Sequence, residues 1–229
     1  MTPLRQGLRD GLPFAIALVP FGLLFGAGPA AAGLPVLPAT SFSVAVIAGA
    51  SQFTALALMK DGAPALIVLA TALAVNLRMA MYSAALAPHL GTAPLWQRAL
   101  AAYGLVDATF ACADAAFRRH AAWSVPDRMA YLGGVAIPVC LPWFALTILG
   151  ALVGAGLPAA LPLDMAVPLC FIAMVAPGLR TLPQAVAALT SVAGALLLAF
   201  MPYGTGLLVA ALLAILAGAE TERRWGRPA

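Results

Sequence analysis

The sequence predicts an all-α, polytopic integral membrane protein of about eight (seven to eight) transmembrane helices, and three observations carry that reading. Hydrophobic residues make up 63% of the 229 and charged residues only 9%, against about 25% charged in a soluble domain. That leaves too little polar surface to coat a water-facing globule, so the lipid bilayer is the solvent. The apolar stretches run to roughly 20 residues without strict alternation, which selects helices over barrel strands. Pro and Gly close most stretches and interrupt several, so some helices are expected to be broken.

The first stretch, residues 12–32, follows Arg5 and Arg9 and ends on Ala30-Ala31-Ala32. It is long for a signal-peptide core and adequate for a span, so it is read as a retained helix. The next spans fall at residues 41–59, 64–86, 98–117 and 129–154. The sixth, 164–176, is short and reads as a half-helix that stops at Pro177-Gly178. Spans at 182–201 and 204–219 precede a solvated tail with an interfacial Trp225. Short-loop charges set the orientation. With the N-terminus inside, Arg5, Arg9, Lys60, Arg118, Arg119, Arg128, Arg180, Arg223, Arg224 and Arg227 fall inside, and essentially Arg98 alone falls outside. This predicts a multi-pass inner-membrane protein with both termini cytoplasmic and an even number of spans.

The whole chain, 1–229, reads as one transmembrane transporter domain, with 1–120 and 121–229 as candidate four-helix repeats. The first and fifth spans share an internal proline, a glycine-rich second half and a closing Gly-Leu-Pro, at Gly33-Leu34-Pro35 and Gly156-Leu157-Pro158. The halves would be related by an axis along the membrane normal.

Depth along each helix locates the polar groups. At about 1.5 Å of rise per residue across a core of about 30 Å, Pro20-Phe21-Gly22 falls at the midplane and Pro138 at a similar depth. Proline removes a backbone donor and crowds the preceding turn. Non-helical backbone at that depth must line protein or a wet cavity, as it does at transporter sites. Breaks at Pro20–Gly22 and Pro138–Pro142, facing each other across a cavity, are therefore expected; a plain packing kink is the alternative. Asp107 also lies near the midplane, where an unpaired carboxylate is costly. Gln52, Asn76 and Arg78 reach similar depths. Arg78 either meets Asp107 or snorkels to the interface past Tyr82. Asp107 either serves transport or forms a structural ion pair. Asp114, seven residues on, is read as a solvated end. An amphipathic substrate suits this set: its ammonium would favour Asp107 or exposed carbonyls, and its carboxylate a half-helix N-terminus or Arg78.

Other functions are poorly served. A net charge of +4 without a basic stripe gives no nucleic-acid footprint. Cys112, Cys140 and Cys170 lie in apolar stretches at no zinc spacing, and His89 and His120 stand alone, so no metal or other cofactor is expected. A membrane-embedded lipid-processing enzyme would need a nucleophile–base pair or an H-E-x-x-H or G-x-S-x-G motif, and none is present. A subunit of an ATP-driven transporter would need a separate ATPase chain, because no Walker A motif occurs. A channel or scaffold is the remaining competitor.

Several segments resemble the AzlC-type branched-chain amino-acid permeases of bacteria over nearly the whole chain. They are Gly7-x-x-x-Gly11-x-Pro13 with Pro20-Phe21-Gly22-x-x-Phe25-Gly26, Ala48-Gly49-Ala50-Ser51-Gln52-Phe53, Asn76-Leu77-Arg78-Met79-Ala80-Met81-Tyr82-Ser83, Val106-Asp107-Ala108-Thr109-Phe110, and Leu163-Asp164 followed by Pro177. Met79 stands where the family often has His, and Ala108 where it often has Glu, so the resemblance carries no proton step through those groups. It implies secondary export of hydrophobic amino acids with a small AzlD-type membrane subunit as partner, and a translocation set of Pro20, Gly22, Gln52, Asn76, Arg78 and Asp107.

Overall fold

The computed structural model describes residues 1–31, 36–154, 172, 179–202 and 205–225. Among these no strand occurs, and four helices are long and apolar enough to cross a membrane. In chain order the helices are α1 (Pro3–Ala31), α2 (Val36–Ala45), α3 (Gly49–Lys60), α4 (Ala65–Leu90), α5 (Leu95–Tyr103), α6 (Asp107–Arg119), α7 (Val125–Gly154), α8 (Leu182–Leu197) and α9 (Thr205–Trp225). They group into two compact units, Met1–Phe53 with Val75–Val167, and Thr54–Ala74 with Pro168–Ala229. The predicted half-helix at 164–176 lies outside the described residues apart from Ile172.

The first unit is built on α1 and α7, which lie parallel in backbone contact. A Cβ added at Gly7 would strike the Tyr131 carbonyl, at Gly11 the Pro138 ring, at Gly22 the Leu146 Cβ and at Gly26 the Thr147 carbonyl. From the other side, Gly134 meets Leu4, Gly150 meets Leu23 and Gly154 meets Ala27. The partners advance together along both chains, which fixes the parallel sense. Lipid gives apolar helices no hydrophobic reason to associate, so close packing through small residues must hold them. The glycine-rich stretches shared by these two helices serve their contact with each other.

This contact corrects one expectation. The helix assignment runs without interruption through Pro20 in α1 and through Pro138 and Pro142 in α7. Pro20 is exposed, while Gly22 and Pro138 are buried in the α1–α7 seam rather than facing a cavity. A proline forfeits one backbone hydrogen bond; here contacts on both flanks keep the rest of each helix aligned.

The breaks lie elsewhere. The predicted fourth span, 98–117, is interrupted at Gly104-Leu105-Val106, where the chain turns back. Gly104 lies beside Ala136 and Cys140 of α7. Residues Trp96 to Gly104 share a crevice with Met129 to Ala136, so α5 runs parallel to α7. α6 then returns antiparallel, bringing Phe117 back to Tyr131. Alongside it, α4 runs parallel to α6, with Arg78 at Asp107, Tyr82 at Phe110 and His89 at Phe117. The end of α4, both ends of the α5–α6 hairpin and the starts of α1 and α7 therefore share one side. Arg128 seals that end by donating to the carbonyls of His89 (3.3 Å) and Ala121 (2.9 Å), and Gln6 meets His120 at 3.3 Å. Arg98, placed on the opposite side by the sequence reading, joins Arg5, Arg9 and Arg128 here.

The predicted second span, 41–59, is broken at Val46–Ala48, after a β-branched-rich run and before Gly49. Gln52 reaches back to Ser43 at 3.3 Å, and the Phe25 ring touches both Phe42 and Phe53. A straight crossing would hold Ser43 and Gln52 far apart, so the chain reverses. The direction of α4, opposite to α1, requires the same: α2 and α3 must return the chain to the side on which α1 ended. A shift of 57 residues carries Phe25 onto Tyr82, Phe53 onto Phe110, and the reversal at 46–48 to within one residue of that at 104–106. Thus α1–α2–α3 and α4–α5–α6 form an inverted pair, each a long helix followed by a re-entrant hairpin. This relation lies within residues 1–120 and is distinct from the one read between the first and fifth spans.

In the second unit α8 and α9 form a close antiparallel pair, with Gly194 against Ala210, Gly206 against Leu198 and Gly218 against Ala187. The start of α8 is fixed locally, as the Gln184 side chain accepts from the backbone N–H groups of Arg180 and Thr181 at 3.0 Å each.

Candidate translocation centre

The two hairpins enter the first unit from opposite sides and end one turn apart on α7, the first beside Trp143 and the second beside Cys140. That is about halfway along a helix roughly 45 Å long. The Tyr103 hydroxyl, at the end of α5, donates to the Val44 carbonyl near the end of α2 at 2.6 Å. The tips are thus tied directly, and a carbonyl freed by the reversal is satisfied.

At the α5–α6 tip the fully buried Thr109 does the local work. Its oxygen accepts the Val106 N–H at 2.7 Å, and its hydroxyl donates to the Gly104 carbonyl at 2.8 Å, bridging the break. Asp107 opens α6, where a carboxylate meets the positive end of the helix dipole. It lies 2.9 Å from the Arg78 guanidinium and accepts from the Tyr82 hydroxyl at 2.8 Å. Arg78 and Tyr82 stand one turn apart on α4 and so share a face. The Tyr82 ring stacks on Phe110 with centroids 4.2 Å apart. Asp107 keeps half of its side-chain surface open and Arg78 28%.

At the α2–α3 tip the polar groups are sealed. Thr147 donates to the Trp143 carbonyl at 2.9 Å, which leaves Ser43 to donate to Thr147 at 3.0 Å and to accept from the Gln52 amide at 3.3 Å. Gln52, Ser43 and Thr147 are completely buried. Gln52 Oε1 and the indole Nε1 of Trp143, also buried, have no hydrogen-bond partner among the described residues. Phe25 floors this tip, stacked on Trp143 at 6.1 Å and edge-on to Phe53 at 5.3 Å.

Of the predicted residues, Gln52 takes one tip, and Arg78 and Asp107 come together at the other. Asn76, two residues before Arg78, points about 200° around α4 from it and stays apart from the pair; its Oδ1 is buried without a partner among the described residues. Gly22 belongs to the α1–α7 packing, and Pro20 is exposed. Asp114 pairs with Arg118 on α6. Sequence reading missed Ser43, Tyr103, Thr109, Trp143 and Thr147. Their signal was available, since hydroxyls inside apolar stretches commonly bond across helices.

The geometry is one of broken helices meeting at mid-depth, an arrangement transporters use. The family model described as AzlC protein matches residues 13–157. The chain belongs to the AzlC family. The match runs from α1 to just beyond α7 and includes both hairpins. A relative is "Inner membrane protein YgaZ" of Escherichia coli (strain K12), 31% identical over 154 residues, which cover 66% of this chain and 61% of the relative. The chain thus matches about three fifths of that relative's length. No solved structure matches it. This AzlC-family chain is an all-α polytopic membrane protein of a transport-associated family.

Proposed function

We propose that this chain is the permease component of a secondary exporter of branched-chain or other hydrophobic amino acids in the bacterial inner membrane, driven by the proton motive force and working with a small AzlD-type subunit. One observation carries the reading: two half-helix tips meet midway along α7, with a part-exposed charge pair at one and a buried amide–hydroxyl chain at the other. A zwitterion brings both charges that such a junction can answer. Asp107, released from Arg78, accepts the substrate ammonium or a proton, and the surrounding Ala, Leu, Val and Phe side chains enclose an apolar side chain. The positive bias at the N-terminal end of the first unit supports a cytoplasmic N-terminus.

The test is uptake of labelled leucine into proteoliposomes holding the full chain, alone and with the small subunit, with and without a pH gradient. Gradient-dependent movement is expected, abolished by Asp107→Asn in protein that still folds. Parental transport by Asp107→Asn refutes the role given to Asp107. If Asp107→Asn fails and the double change with Arg78→Gln restores both expression and transport, Asp107 is a structural partner only. No leucine movement under any condition overturns the amino-acid reading.

A further inference from the structure

The helix α5 buries none of its own residues. Grooves flank it on two sides, one against α7 and a larger one, of about 430 Å³, against α4. The larger groove has a floor of Leu86, Leu90, Leu105 and Leu132, all buried. Its walls are small: Ser83 and Ala87 on α4, Ala99 and Ala102 on α5. Small side chains on both helices leave the space between them unfilled. From Ser83 to Leu90 the groove runs roughly 10 Å along α4. It ends at the Gly91 turn, on the side where α1 and α7 begin. Arg98 stands at that end and donates to the Gly91 carbonyl at 3.1 Å. Arg128 lies there too, one turn before Leu132 on α7. The carboxylates of this end are engaged elsewhere: Asp10 accepts from Tyr131, Asp114 pairs with Arg118, and Asp127 accepts from Ser124. Neither Arg98 nor Arg128 has a carboxylate partner among the described residues.

Inside a bilayer such a space is filled, since bare walls forfeit their dispersion contacts. Water needs several polar partners, and these walls offer it only the Ser83 hydroxyl. A third helix does not fit within the groove. It would set the α4 and α5 axes about 16–20 Å apart, whereas residues 91–94 alone join the two helices and Arg98 ties α5 back to Gly91. The occupant is therefore thinner than a helix, apolar along its length and anionic at one end. We propose that the α4–α5 groove binds one acyl chain of an anionic phospholipid, with the headgroup phosphate on Arg98. The guanidinium has five N–H groups and gives one atom to Gly91; the rest suit phosphate oxygens. Trp96, 63% exposed on the same turn of α5, takes the place of an interfacial aromatic. Lipid seated here supports the flank of α5 that the chain itself leaves open. α5 ends at Tyr103, whose hydroxyl ties the two hairpin tips together, so the lipid steadies that junction from a distance. The site goes beyond the amino-acid reading and does not depend on it.

The test uses full-length protein in phosphatidylethanolamine nanodiscs doped with phosphatidylglycerol that carries a photoactivatable diazirine in one acyl chain. Mass spectrometry locates the cross-links. Adducts are expected on residues 83–90 and 95–105 above every other exposed helix face. Arg98→Gln should lower them about fivefold, the effect of one basic residue near an anionic surface. The same diazirine chain on phosphatidylcholine should label the groove no more than the other faces. Even labelling of all exposed faces by both lipids shows boundary lipid only and overturns the site. Groove labelling that ignores the headgroup, or that Arg98→Gln leaves unchanged, overturns it as well. Inorganic phosphate should not compete; competition would show a free-anion site instead. Loss of labelling when the small subunit is reconstituted alongside would show that protein covers the groove, and would also overturn the proposal. If Arg98→Gln does not fold, the headgroup comparison in the parent protein decides alone. Leucine movement enters none of these outcomes, so failure here leaves the transport reading standing.

Discussion

At the residue scale, neighbouring glycines separate packing from composition. Gly134 faces α1, where a Cβ would overlap the Leu4 carbonyl, whereas Gly133 has nothing within 4 Å. Gly134→Ala should therefore destabilise by about 1–3 kcal/mol, the usual range for overpacking. Gly133→Ala should be neutral or gain up to about 1 kcal/mol from helix propensity. Thermal unfolding in detergent checks both, and equal effects would contradict the α1–α7 seam. The sequence marked Asp107, Gln52 and Arg78 because charge and amide groups are conspicuous in apolar stretches. It did not mark Trp143, whose ring reads as ordinary apolar content until its indole nitrogen is found without a partner among the described residues.

At the element scale, the hairpins replace two predicted crossings. A reporter fused at Gly91 is expected on the same side as one fused ahead of Arg5, and opposite results would restore a straight fourth span. The α5–α6 reversal depends on Thr109, which serves a donor and an acceptor at once. Thr109→Val keeps the shape and strands both, so it should cost about 1–3 kcal/mol and lower the leucine transport rate. Thr109→Ser should retain most of both. Parental stability in Thr109→Val would show that the tip is held some other way. Hydropathy could not find these reversals. A segment such as 98–117 has the apolar length of one span whether it runs straight or doubles back as two half-helices. The difference lies in three residues, Gly104 to Val106, and in what they meet on α7.

For the whole molecule, the inverted relation between α1–α2–α3 and α4–α5–α6 places one reversal on each side of a shared midpoint. If the junction is the barrier, opening either hairpin alone should expose it from one side only. Single cysteines at Ala45 and Val106 are expected to react with membrane-impermeant thiol reagents from opposite sides, and leucine should alter both rates. Reaction of both from one side would remove the inverted arrangement. Arg98 moves to the end that holds Arg5, Arg9 and Arg128, which strengthens the bias that orients the first unit. A reporter at Ala229 on the side opposite to the N-terminus would overturn the proposal that both termini are cytoplasmic.

Composition alone determined that this chain lives in lipid as helices, because too few charged residues exist to face water and every buried backbone group must be paired within the chain. The long helices α1, α4, α7 and α9 were legible for the same reason: apolar length is a local property. So was the need of Asp107 for a partner, since a carboxylate within an apolar stretch needs one wherever it sits. Helix direction, the choice between crossing and turning back, and the pairing of Arg78 with Asp107 were decided only by the tertiary structure. Those depend on which surfaces meet. Pro20 and Pro138 looked like breaks yet stay helical because glycines lock α1 to α7 around them. Gly49 and Gly104 looked unexceptional yet flank the reversals, because Trp143 and Thr109 take up the space and the hydrogen bonds that the chain gives up there.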